Sequence, residues 1–120
     1  MNINKTLEQA PNEIATRAVK AEDSRLLWKE EELRLKQLEA KTHLTIKANK
    51  PDATQTDIKA EVESDEEVYK KKCDVLIFES EYKKEMIELD KWVNAFNSAR
   101  KLANVKIEEM RSLHQTVGGN

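Results

Sequence analysis

Between Lys36 and Lys50 the charged residues are Lys36, Glu39, Lys41, Lys47 and Lys50, with His43 among them. Four ammonium groups against one carboxylate make a phosphate-binding chemistry, because each phosphate they neutralise releases condensed counterions. The next stretch reverses the sign. Asp52, Asp57, Glu61, Glu63, Asp65, Glu66 and Glu67 oppose Lys59 alone, and Lys70-Lys71-Lys72 then turns basic again. Lys41, Lys47 and Lys50 are the candidate phosphate contacts. The opposing expectation is that charge runs on long helices are solvated faces with no ligand.

Other chemistry finds less support. His43 and His114 are far apart, and neither has a second histidine at ligand spacing. The single cysteine, Cys73, excludes an internal disulfide and a cysteine zinc site. Lys70, Lys71 and Lys72 precede it and would favour the thiolate, but no histidine at helical spacing serves as its base. Carboxylates are abundant without any pair standing out, and the only adjacent glycines are in the tail. The expectation is a non-enzyme with no metal and no cofactor.

These residues must be carried by helices. The chain has 120 residues, 37% of them charged, with 2 Gly and 2 Pro, which is a coiled-coil-like composition with room for one domain. A net charge of −2 argues against nonspecific coating of nucleic acid, so any such surface must come from local segregation of charge. No signal peptide or membrane span is present, which points to a soluble intracellular protein.

Val68, Val75, Tyr82, Leu89, Phe96, Ala103 and Met110 stand seven apart in one row. No Pro or Gly interrupts the chain between Ser64 and Val117. Such a repeat predicts a long helix that winds around others, over 65–115. Trp92 adds to its apolar stripe. A first long helix is predicted over 11–49, opened by Ala10-Pro11-Asn12-Glu13 and ended by Pro51. It carries two apolar rows, Ile14, Ala21, Trp28, Leu35 and Val19, Leu26, Leu33, Ala40. These lie about 200° apart around the axis. One face packs on the chain's own long helix; the other needs a partner, for which a second copy is the simplest candidate. The alternative is a stripe widened for a three-helix monomer.

Between the long helices, 50–64 forms an elbow. Thr54 caps a short helix with Asp57 three residues on, and Ser64-Asp65-Glu66-Glu67 is a second start signal of the same kind. Residues 1–10 and 116–120 read as flexible. The predicted fold is a single all-α domain, an antiparallel long-helix hairpin with a short helical elbow that assembles into a helical oligomer. Trp28, Leu35, Val75, Tyr82, Leu89, Trp92, Phe96 and Met110 are its core or subunit contacts. Tyr69, off the main row beside Lys70-Lys71-Lys72, is the one aromatic left for stacking on a base.

Several segments carry a resemblance: Leu38-Glu39-Ala40 and Ile46-Lys47-Ala48; the elbow Thr54…Asp57-Ile58-Lys59-Ala60-Glu61-Val62…Asp65…Val68; and Ser98-Ala99-Arg100, Ala103 and Ile107-Glu108-Glu109-Met110-Arg111. Over about residues 20–113 the chain resembles the UvsY-type recombination mediators of bacteriophages. The resemblance implies a ring-forming protein that binds single-stranded DNA and loads a RecA-like recombinase onto strands covered by single-strand-binding protein, in the host cytoplasm. It further implies that Lys47 contacts DNA as the first residue of a basic pair. Asn49 stands at the position of the second, with Lys50 one residue on. The competing expectation is a coiled-coil scaffold or adaptor with protein partners only.

Overall fold

The computed structural model describes residues 2–118, with side chains for 2–114. Among them the chain is all-α, with α1 (Ile3–Asn49), α2 (Gln55–Ser64) and α3 (Glu66–Gly118) and no strand. Within each of its compact units α1 and α3 run antiparallel as a long-helix hairpin, and α2 is the elbow between them. The first helix starts eight residues earlier than expected, so residues 3–10 are helical rather than flexible; residue 1 lies outside the described residues. Asn2 is the reason: its Oδ1 accepts from the Lys5 N–H at 3.0 Å, a cap upstream of the Pro11 signal. Pro11 therefore lies inside α1, where a proline costs on the order of 3 kcal/mol. Packing opposes that cost, since Ala10 beside it is fully buried.

Pro51 ends α1 as expected. The last helical bond runs from the Lys50 N–H to the Ile46 carbonyl at 2.8 Å, and a turn from Ala53 N–H to the Lys50 carbonyl follows. Thr54 caps α2, accepting from the Asp57 N–H at 3.1 Å. At the second start signal the cap is Asp65, whose Oδ1 accepts from the Val68 N–H at 3.0 Å. Ser64 instead closes α2 and donates to the Glu61 carbonyl. Glu66 and Glu67 then sit in the first turn of α3, where carboxylates complement the helix dipole. Residues 116–118, expected as tail, are the last residues of α3; 119 and 120 lie outside the described residues.

The chain divides into two compact units, Met1–Lys20 with Glu85–Asn120 and Ala21–Lys84. Both long helices contribute to each. In the first, Ala10 and Ala99 are fully buried, and Asn2, Ile3 and Asn4 share a groove with Ala103, Lys106 and Ile107. Small side chains at both sites permit close packing but exclude little apolar surface from water. In the second, Ile58, Val62 and Val68 form a core against which Leu35, Leu38, Ile46 and Ala53 pack. Ile58→Val removes one methylene from this core, and the expected loss is about 1 kcal/mol, read as a lower urea midpoint at unchanged slope.

The second unit also holds α1 to α3 through polar and aromatic contacts. Trp28 stacks on Tyr82 with ring centroids 5.5 Å apart. The Glu31 side chain, 7% exposed, accepts from Arg34 at 2.7 Å and from Lys71 at 3.3 Å. Mainly the Arg34 hydrogen bond, with Lys71 adding to it, holds the Glu31 carboxyl below its usual range against the opposing effect of burial. A carboxyl whose folded value lies below its unfolded value of about 4.3 contributes its full stability above that value. The contribution is lost as pH falls through the lower, folded value. Wild type is therefore expected to lose urea resistance between neutral pH and pH about 3 more steeply than Glu31→Gln. Parallel pH profiles for the two would refute this.

The heptad row of α3 is buried only in part. Val68 and Val75 are buried, Tyr82, Leu89, Phe96 and Ala103 are half-buried, and Met110 is 68% exposed. Trp92 is half-buried. Met110 is thus no part of this chain's own core. On α1 the two rows separate as predicted. Ala21 is buried and Ile14, Trp28 and Leu35 are half-buried, whereas Val19, Leu26, Leu33 and Ala40 all face solvent.

Candidate nucleic-acid interface

The candidate lysines lie at the end of α1 and beside the elbow, all within the Ala21–Lys84 unit. Lys41, Lys47, Asn49 and Lys50 are exposed. A helix turns about 100° per residue, so Lys36, His43, Lys47 and Lys50 fall within roughly 60° of one another on one face. Lys41 lies roughly 120° from Lys47, and Asn49 roughly 160°. The helix therefore brings Lys47 and Lys50 together and sets Lys41 and Asn49 apart from them. The spacing 36, 43, 47, 50 is the signal that identifies Lys36 and His43 as members of this strip, and it is legible without coordinates.

The elbow places acids beside two of these lysines. Lys50 Nζ forms an ion pair with Glu61 of α2. Lys41 borders a groove of about 320 Å³ that also exposes Asp65 and Glu67. Both acids stand near it because α2 returns the chain to the start of α3 there. Lys36 and Lys47, by contrast, form no ion pair with any described residue. They are the uncommitted charges of the strip.

The second basic run is divided in the same way. Lys71 points to Glu31, while Lys70 is exposed and Lys72 half-exposed. Tyr69 beside them is 64% exposed, so its ring is open to a stacking partner. Trp28 is committed to Tyr82 on one side and has Lys29 Nζ 4.0 Å from its ring. Phe96 carries Arg100 at 5.7 Å. These aromatics are contacts within the chain rather than free platforms.

Next to the lysine strip, α1 and α2 bound a cleft of about 450 Å³. His43 and Gln55 approach across it, Nε2 to Oε1 at 3.4 Å. Cys73 is a half-buried free thiol. Among the described residues no group of three or more His, Cys, Asp or Glu is placed to hold a metal ion. Among them, too, no helix is long and apolar enough to cross a membrane. Compared with known proteins, the chain matches no family model, no curated protein and no solved structure.

Proposed function

We propose that this protein is an oligomeric, non-catalytic mediator that holds single-stranded DNA on the Lys36–Lys47 strip and helps a RecA-like recombinase replace single-strand-binding protein on it. The observation that carries the proposal is the strip itself, with two solvent-facing lysines, Lys36 and Lys47, on one side of α1 that pair with no acid among the described residues. The outward row Val19, Leu26, Leu33 supports assembly with further copies, which multiplies each strip into a polyvalent grip. The resemblance of the elbow and the Ile46-Lys47-Ala48 segment to phage recombination mediators supplies the biological setting. No nucleotide hydrolysis is needed, since strand binding by many weak sites supplies the free energy. The test is binding of fluorescent oligo-dT between about 50 and about 200 mM salt, where a phosphate grip loses affinity steeply.

A scaffold with protein partners only is the second reading, and one observation favours it. Lys50 is paired with Glu61 and Lys41 borders two acids, so the elbow neutralises part of its own basic surface. Self-association without any strand binding at the lowest salt would decide for the scaffold.

A further inference from the structure

We propose that the cleft between α1 and α2 seats a nucleobase of the bound strand, with His43 as its stacking platform and Lys47 and Lys59 holding the adjoining phosphates. The proposal rests on the strand-binding reading above and adds a base site to it. The cleft is lined by Ala40 and Val62, which give it apolar surface, and by Glu39, His43, Gln55, Thr56 and Lys59. Its volume of about 450 Å³ falls in the range of small-molecule sites. The two lips come from different helices, and the 3.4 Å approach of His43 to Gln55 orients the imidazole ring. Bases stack on histidine rings as they do on other aromatic faces. The Gln55 amide offers a donor and an acceptor to a base edge.

Position favours a strand over other occupants. Lys47 follows His43 by four residues, hence by one turn on the same face, and Lys59 stands on the opposite lip. Neither lysine has an ion-pair partner among the described residues. The groove beside Lys41 has two acids on its wall, Asp65 and Glu67, where this cleft has Glu39 alone. A nucleotide unit combines what this cleft presents, a flat apolar face with a polar edge and an anion beside it.

The test compares fluorescent oligo-dT with an abasic strand of the same length, bound to the full chain and to His43→Ala and His43→Phe. The expected result is roughly tenfold weaker binding of the abasic strand to wild type. His43→Ala should abolish that difference and leave the salt dependence unchanged, and His43→Phe should restore it. Equal binding of the two strands by wild type overturns the base site and leaves the phosphate grip standing. Equal weakening of both strands by His43→Ala would assign His43 a structural role and also overturn it. Failure of both strands to bind at low salt refutes the strand-binding reading itself. Displacement of oligo-dT by micromolar thymidine monophosphate would assign the cleft to a free nucleotide instead.

Discussion

Aspartate at both Leu26 and Leu33 is expected to reduce the proposed assembly to single copies at micromolar concentration. These leucines are 53% and 59% exposed on the outward row of α1. Completing the burial of a half-exposed leucine is worth about 1 kcal/mol. Placing a carboxylate in the same seam adds a desolvation cost of several kcal/mol. With two positions per subunit, association should fall by roughly a thousandfold or more. Neither leucine belongs to the Ile58–Val62–Val68 core, so far-UV circular dichroism should remain helical. Light scattering coupled to sizing reads the mass. An oligomer that survives the double substitution, or a wild type that is already a single copy, removes α1's outer row as a subunit contact.

Charge reversal of Lys36 and Lys47 together is expected to weaken oligo-dT binding by about a hundredfold or more at low salt. Each lysine lost from a phosphate also lowers the slope of log affinity against log salt, by roughly 0.7 per phosphate on a single strand. Copies acting together amplify both effects. Lys41→Glu is the internal control. It lies on another side of α1 and already borders Asp65 and Glu67, so its reversal should change affinity by less than about threefold. If Lys41→Glu proves as damaging as the pair, the strand follows a different face.

The contrast between these lysines also marks how far the residues alone can be read. The row Val68, Val75, Tyr82, Leu89 is legible because burial on a helix requires that spacing, and the structure buries its first members. Pro51 and Thr54 are legible because a missing N–H and a capping hydroxyl act locally. The start of α1 is less so. Two local signals compete there, and the Asn2 cap prevails over Pro11 because Ala10 is buried by residues distant in sequence. At the second start signal both Ser64 and Asp65 can cap, and it is Asp65 that has extended backbone angles and bonds Val68. The division of the lysines has two causes. The angle separating Lys41 from Lys47 follows from helix geometry and needs only the numbering. The pairing of Lys50 with Glu61 depends on where α2 comes to rest, and no spacing rule reports that.

The elbow has a consequence for the order of folding. The ion pair Lys50–Glu61 joins residues 11 apart, Glu31–Lys71 joins residues 40 apart, and Trp28–Tyr82 are more distant still. Closing a loop costs more entropy as it lengthens, so the pairs nearest the turn meet most readily and each shortens the search for the next. Ile58 and Val68 then belong to the nucleus, where weakening slows the forward rate. Trp28 and Tyr82 close late, where weakening chiefly hastens the reverse.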